Sequence, residues 1–259
     1  MLLGIDTSGA VSVALVRAEG TGLGTAAAAA AGAAAGAVAG SPGPEVLAVR
    51  SDARARHHDE VLLTLVDEVL AEAGAARTDL TGVVAGRGPG PFTGLRVGLV
   101  VARTIAAALD IPLYGVCSLD ALALQALTAA GPAPEGRSIA VALDARRREV
   151  YWARYRADAE GAVVRVEGPA VSAPAEVCEA LFSADLLVGS GTELYPDLLP
   201  ATARIPHVDA GALVAVAARL AAQGEDLSDT EPMYLREPDA AKPSVRKSAL
   251  GLGDRPSAP

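Results

Sequence analysis

The chain has 259 residues, 51% of them hydrophobic, which is enough for one large domain or two small ones. Its net charge of −9 repels nucleic acid, so any role on RNA or DNA requires a basic partner or a local basic patch. Its two cysteines lack the spacing of a redox or metal pair, and the N-terminus has no basic leader. These features predict a reduced cytoplasmic protein without a membrane span.

The first elements predict a β-hairpin. An apolar run over residues 1–6 ends in Asp6, and a Thr-Ser-Gly turn leads into a second apolar run over residues 11–17. An acid at this point is typical of the phosphate-side hairpin of actin, Hsp70 and sugar kinases, although Asp also begins many ordinary turns. Residues 21–44 are a low-complexity insert of Ala, Gly and Pro, for which we predict no chemistry.

Residues 57–73 predict an amphipathic helix whose apolar stripe includes Leu62, Val66 and Val69. His57 and His58 are adjacent, so they point about 100° apart on a helix and cannot share a metal ion. This spacing favours structural or solvent-facing histidines over metal ligands.

A glycine- and proline-rich loop over residues 86–94 joins a strand at 81–85 to a second helix. Thr93 is the predicted N-cap, and the helix is predicted to begin at residue 94 or 95. Two interpretations of the loop remain open: a structural turn, or an anion site at a helix N-terminus. Its glycine spacing matches neither common phosphate-binding motif.

The second helix is apolar on nearly every side, so we expect it to be buried on more than one side. A sheet can cover one side, and a partner subunit is a candidate for another. Arg96 and Arg103 share one side, while Gly98, Ala102 and Ala106 form a face without bulk that another helix could approach closely.

The second half of the chain begins like the first. A strand over residues 138–144 ends in Asp144, and a turn leads into strands at 149–156 and 162–167. Two such copies indicate an internal duplication. Asp6 and Asp144 are therefore candidates for holding a Mg²⁺-nucleotide, but side chains at 145–147, where kinases have glycine, would block close backbone approach to phosphate.

The chain resembles one family in five segments, which read LGIDTS, GRGPGPFTGLRVGL, LDARRREVY, VGSGTELY and PMYLR. They are similar to the TsaB (YeaZ) family of tRNA threonylcarbamoyladenosine biosynthesis proteins, from residue 1 to about 236 apart from the insert. The resemblance implies an α/β, actin/Hsp70-like (ASKHA) fold of two lobes, each with a mixed β-sheet and helices. We expect lobes at 1–109 and 110–236, with the last helix packing back on the first lobe, and a disordered tail at 237–259.

The resemblance also implies a non-catalytic subunit without a cofactor. It pairs with TsaD, or with itself, recruits the ATPase TsaE, and meets tRNA only through the complex, with no role on DNA or membranes. Helices of the first lobe would form the interface. The candidate contact residues are Leu62, Val66, Val69, Phe92, Arg96, Gly98, Ala102, Arg103 and Ala106. The alternatives are an active nucleotide-dependent acyl- or phosphotransferase of the same fold, and a peptidase, for which no nucleophile–base or metal set is present.

Overall fold

A computed structural model describes residues 1–24, 43–53, 58–132 and 134–236. The 237–259 tail, most of the 21–44 insert and His57 lie outside these ranges, so the predictions made for them stay predictions.

The first sheet contains the predicted hairpin at its centre. Its strands are β1 (Leu2–Asp6), β2 (Val11–Arg17), β3 (Glu45–Asp52), β4 (Gly82–Gly86) and β5 (Leu113–Val116). They lie in the order β3-β2-β1-β4-β5, with β1 antiparallel to β2 and parallel to β4. All of β1 is buried because both faces of the sheet are covered by helices, which explains why the strand is a continuous apolar run rather than an alternating one.

The second sheet repeats this pattern in smaller form. Its strands are β6 (Ser138–Asp144), β7 (Val150–Ala157), β8 (Val163–Ser172) and β9 (Leu186–Val188). They lie in the order β8-β7-β6-β9, with β6 antiparallel to β7 and parallel to β9. The acid-ended strand therefore holds the equivalent position in both sheets, and the predicted duplication is confirmed.

The described helices form three layers around the two sheets. They are α1 (His58–Glu72), α2 (Phe92–Leu109), α3 (Ser118–Ala129), α4 (Pro174–Phe182), α5 (Ser190–Leu194) and α6 (Ala210–Ala222). Helices α1 and α2 cover the outer face of the first sheet, and α4 packs on the outer face of the second. Helices α3 and α6 share a core with residues of both sheets and so lie between them.

The last helix, α6, packs on the first sheet. The backbone N–H of Ala210 donates to Ser12 Oγ at 3.0 Å. Gly4 lies directly under the start of α6, where a methyl group would be 2.5 Å from the carbonyl oxygen of Ala210. The backbones of α6 and β1 are thus in direct contact, which brings the last described helix against the first strand.

Several predicted boundaries are wrong. β5 pairs in parallel with β4, so the first sheet extends past the predicted lobe boundary at 109. Helix α2 begins at Phe92 with Pro91 as its N-cap, so Thr93 lies inside the first turn and is not the cap.

Helix α2 has the length and mean hydropathy, 1.5, of a membrane-crossing helix, so the prediction that no stretch combines the two is wrong. Six of its residues are buried in the first lobe. The core helix of a globular protein can have the same length and hydropathy. Packing on the first sheet accounts for the apolar residues on the buried side of α2. The apolar residues on its other side require a separate explanation.

Candidate functional site

The turn between β1 and β2 holds a buried carboxylate. Asp6 is 1% exposed. Its Oδ1 accepts hydrogen bonds from the Ser8 backbone N–H at 2.9 Å and from Ser8 Oγ at 2.6 Å. Its Oδ2 accepts one from Ser118 Oγ at 2.5 Å. Both oxygens are therefore engaged by the protein itself, as a buried charge requires.

Ser118, the first residue of α3, uses its hydroxyl to hold Asp6 and does not cap the helix. Its Oγ also accepts a hydrogen bond from the Gly88 backbone N–H at 3.1 Å, and the residue in the N-cap position is Cys117. Burial raises the pKa of the Asp6 carboxyl, against the hydrogen bonds from Ser118 and Ser8, which lower it. Gly86 is required beside this cluster because a methyl group there would overlap Asp6 Oδ2.

The loop before α2 closes over the same turn. A methyl group at Gly90 would lie 2.7 Å from both Cα and O of Ser8, so the two backbones are in direct contact. Thr7 Oγ1 donates to the carbonyl oxygen of Gly94 at 2.8 Å, and Gly98 packs against the Thr7 side chain. The glycines of this loop allow it to pack directly against the β1–β2 hairpin. This packing supports the interpretation of the loop as a structural turn over its interpretation as an anion site.

His207 borders this region from the chain segment before α6. Its Nδ1 faces Gly9, where a methyl group would be 3.0 Å away. Partial burial lowers the pKa of the imidazole, and among the described residues Nδ1 has no hydrogen-bond partner. A neutral imidazole at this position adds no positive charge for phosphate.

The turn between β6 and β7 is built differently. The Arg146 backbone N–H donates to Asp144 Oδ1 at 2.7 Å, and the Arg146 guanidinium pairs with Oδ2 at 3.1 Å. The Asp144 backbone N–H donates to Ser190 Oγ at 3.0 Å. Arg146, Arg147 and Arg148 have φ values of 60°, 53° and 63°, in the left-handed region that favours glycine. Asp6 and Asp144 are thus held by separate sets of side chains.

Most of the predicted contact residues are not on the surface. Six of the nine are buried within the chain, namely Leu62, Val66, Val69, Gly98, Ala102 and Ala106. Apart from Gly98, which faces Thr7, they belong to the core between α1, α2 and the first sheet. The prediction that the small-residue face of α2 meets a partner is therefore corrected, since that face packs on the chain's own sheet and hairpin.

The other three, Phe92, Arg96 and Arg103, are exposed. Two large apolar residues of the same pair of helices are exposed as well, Val100 of α2 and Leu63 of α1, and we call these five residues together the α2 ridge. Val100 is 59% exposed and Leu63 51%.

Residues 227–236, which we call the C-terminal strap, run along one edge of the α2 ridge. The Tyr234 ring stacks on Phe92 with 5.0 Å between centroids, and the Arg96 guanidinium lies 4.0 Å from the centroid of Phe92. Arg96 Nε donates to Tyr234 Oη at 2.9 Å. Arg103 pairs with Glu231 at 2.6 Å.

The strap also contacts the loop before α2 and the second sheet's first turn. The Met233 backbone N–H donates to the carbonyl oxygen of Arg87 at 2.8 Å. Arg236 pairs with Glu149 and donates to the carbonyl oxygen of Ala145 at 3.3 Å. Sequence analysis identifies only the PMYLR segment of the strap, as part of the family resemblance, because nothing in its own residues shows which distant residues it contacts.

Comparison with known proteins agrees with this architecture. A family model described as TsaD, tRNA N6-adenosine threonylcarbamoyltransferase, matches residues 49–241. The TsaB protein of Escherichia coli, a tRNA threonylcarbamoyladenosine biosynthesis protein, is 31% identical over 192 residues, which cover 70% of this chain and 81% of that one. An uncharacterized Mycobacterium tuberculosis protein is 40% identical over 195 residues, covering 75% of this chain and 82% of its own. The solved structure of YeaZ from Pseudomonas aeruginosa superposes with a TM-score of 0.67 at 28% identity, covering 90% and 99% of the two chains.

The duplicated sheets, with an acid at the end of the leading strand of each, define a protein of the actin/Hsp70-like (ASKHA) class. Within that class, the chain belongs to the TsaB (YeaZ) family, whose named members are proteins of tRNA threonylcarbamoyladenosine biosynthesis.

Proposed function

We propose that this chain is a non-catalytic, cytoplasmic subunit of the assembly that adds threonylcarbamoyl to the adenosine 3′ of the anticodon in ANN-decoding tRNAs. In this assembly it pairs with TsaD, activates TsaD and recruits TsaE. The exposed α2 ridge, on a chain of the TsaB family, is the observation that carries the proposal.

The composition of the α2 ridge supports pairing. Phe92, Val100 and Leu63 supply exposed apolar area, and Arg96 and Arg103 lie beside them. Aromatic residues and arginine are enriched in protein interfaces and carry much of their binding energy. The ridge also explains why α2 is apolar on the side away from the sheet.

The first hairpin supports a non-catalytic role. A nucleotide phosphate in a protein of this class needs access to backbone N–H groups of the turn. Here Gly90 already occupies the space against Ser8, and Asp6 has both oxygens bonded inside the protein. Phosphate and Mg²⁺ could enter only if α2 and its loop moved away from the hairpin.

A single substitution on the ridge tests pairing. Val100→Asp places a charge on an exposed position, so the chain should fold and melt normally but lose co-elution with co-expressed TsaD from the same organism. Val164→Asp is the matched control, because Val164 is 50% exposed on β8 of the second lobe and should leave co-elution unchanged. Undiminished co-elution of the Val100→Asp variant would refute the ridge as the contact surface.

Ala102→Trp separates the ridge from the core. Ala102 is fully buried, so the indole would overpack the contact between α2 and the sheet and lower the free energy of unfolding by about 1–3 kcal/mol or more. A normal melt for this variant together with lost pairing would restore the small-residue face as the interface. Size-exclusion chromatography of the chain alone, with and without Val100→Asp, distinguishes self-pairing through the same ridge from pairing with TsaD.

The transferase alternative has its own test. Calorimetry with ATP and Mg²⁺ should detect no binding to the chain alone. Micromolar binding that Asp6→Asn abolishes, together with ATP hydrolysis, would favour an active nucleotide-dependent enzyme over the subunit role.

A further inference from the structure

The turn between β6 and β7 concentrates positive charge on an acidic protein. Arg146, Arg147 and Arg148 are consecutive and exposed, and the Arg146 side chain is 64% exposed. The two acids nearest in sequence, Asp144 and Glu149, pair with Arg146 and with Arg236 of the C-terminal strap. Four arginine side chains of the described residues therefore lie at or beside this turn, so guanidinium groups are concentrated there although the chain carries −9.

The backbone of this turn is unfavourable for the residues it carries. All three arginines have left-handed φ values, which glycine adopts freely and asparagine tolerates far better than arginine. The hydrogen bonds between Ala145 and Glu149, at 3.0 Å, and from Glu149 to Arg146, at 3.0 Å, hold the turn in this shape. A strained backbone that keeps long cationic side chains, where small residues would fit with less strain, points to a use for the cations.

The strap contacts both this turn and the start of α2. Tyr234 stacks on Phe92 at the start of α2, and Arg236 bonds to Ala145 at the base of the turn. Two residues of chain span at most about 7 Å between Cα atoms. The same short segment of chain therefore links the base of the basic turn to the first residue of α2.

We propose that Arg146, Arg147 and Arg148 bind the phosphate backbone of the RNA substrate at the rim of the partner surface. This inference rests on the proposed role in a tRNA-modifying assembly. The guanidinium group matches phosphate oxygens in two parallel hydrogen bonds, and contacts of this kind position RNA without reading its sequence. The negative charge elsewhere on the chain directs the RNA to this face.

The test compares two triple variants of equal net charge. The turn variant carries Arg146→Asn, Arg147→Asn and Arg148→Asn, since asparagine tolerates left-handed φ and removes the charge. The control variant carries Arg17→Gln, Arg50→Gln and Arg77→Gln, three surface arginines of the first lobe that are 45%, 44% and 63% exposed. The probe is a labelled, unmodified tRNA transcript with an ANN anticodon, and fluorescence anisotropy gives its affinity over a series of salt concentrations for the chain alone and with TsaD.

The slope of log affinity against log salt should become shallower by about 2 to 3 in the turn variant, because each lost phosphate contact contributes about 0.7–0.9. The control variant should keep the slope of the unaltered chain, and so should a third variant with lysine at all three turn positions. Equal slopes for the turn and control variants would overturn the proposal. It would also be overturned if the unaltered protein bound no RNA, either alone or together with TsaD.

Two further measurements distinguish RNA binding by this turn from nucleotide binding and from the proposed subunit role. ATP binding by calorimetry that depends on the same arginines would overturn the RNA contact in favour of a nucleotide site. Co-elution with TsaD is measured on the same samples. If the turn variant pairs with TsaD and binds RNA as the control does, this inference fails while the proposed function stands; if the unaltered chain does not pair, the proposed function fails.

Discussion

The turns of the two duplicated hairpins occupy equivalent positions in their lobes but have opposite surroundings. In the first, Ser8 and Asp6 are buried under the loop that precedes α2. In the second, Arg146–Arg148 are exposed and adopt left-handed φ values. The same strand topology thus supports a closed, packed turn and an open, basic one.

The difference shows that neither turn keeps the form that nucleotide binding needs. The first has small residues, but a glycine loop fills the space in front of them. The second is open, but arginine side chains replace the glycines that would let its backbone reach a phosphate. In this interpretation, duplication supplied the frame, and each turn took a different role: packing in the first lobe and surface charge in the second.

The largest effect is expected at Gly86, next to the buried acid. A methyl group in Gly86→Ala would overlap Asp6 Oδ2 and lie 2.7 Å from Ser118 Oγ, so the free energy of unfolding should fall by about 3 kcal/mol or more. Urea unfolding followed by circular dichroism measures this loss. Gly43→Ala, which has no atom within 4 Å of the added methyl, is the control and should be nearly neutral. A stable Gly86→Ala variant would show that the first turn is not tightly closed.

Serine substitutions compare the two turns directly. Ser118→Ala leaves Asp6 Oδ2 buried without its donor and should cost about 1–3 kcal/mol. Ser190→Ala removes the half-buried acceptor for the Asp144 N–H and should cost about 0.5–1.5 kcal/mol. Thermal melts of both variants test the order, and a larger loss for Ser190→Ala would reverse the proposed contrast between a closed and an open turn.

Buried Asp6 should also give the protein a measurable pH dependence. Because its folded pKa is raised above the ordinary value of 3.8, the folded state holds the proton more tightly than the unfolded state. Stability from this group is therefore greatest at low pH and falls, by about 1.4 kcal/mol per pH unit, as pH rises from 3.8 through the raised pKa.

Asp6→Asn removes this dependence, so urea titrations of both proteins between about pH 4 and pH 7 should diverge in that window. His207 has a lowered pKa and acts in the opposite direction below its ordinary value of 6.5, but it is present in both proteins and largely cancels in the difference. Parallel pH profiles would show that Asp6 titrates as it does in the unfolded chain.

The smallest effect concerns backbone strain in the second turn. Arg148→Gly relieves a left-handed arginine, worth about 1–2 kcal/mol, against a loss of about 0.5–1 kcal/mol from the flexibility of glycine in the unfolded chain. We expect a net gain of up to about 1.5 kcal/mol in the free energy of unfolding. Ser8→Gly in the first turn should instead destabilise, since it loses the Oγ bond to Asp6. The same direction of change in both variants would contradict the comparison.

Much of the fold could be predicted from local patterns. Apolar periodicity and turn residues predict the strands that end at Asp6 and Asp144, their hairpin partners and the amphipathic helix α1. The structure confirms these elements. The boundaries that failed have tertiary causes. Ser118 is a good N-cap by its side chain, but its hydroxyl bonds Asp6, 112 residues away.

The site was harder to predict than the fold. Sequence analysis predicts that α2 is covered on more than one side, and it assigns the small face to a partner. The structure shows why that was wrong: Gly98 is small because Thr7 lies against it, and the exposed surface is the bulkier side with Val100. A helical wheel shows which residues share a face but not which face the sheet takes.

The sequence by itself determined the family, the duplicated hairpins, the acids that end them and the basic turn, because each depends on neighbouring residues in the chain. Only the tertiary structure decided that one hairpin turn is closed, which side of α2 is free, and that the strap joins that side to the basic turn. Contacts such as Arg96 with Tyr234 join residues 138 positions apart. Such pairs leave no periodic signal in the sequence, since the distance between them is set by packing of the whole chain.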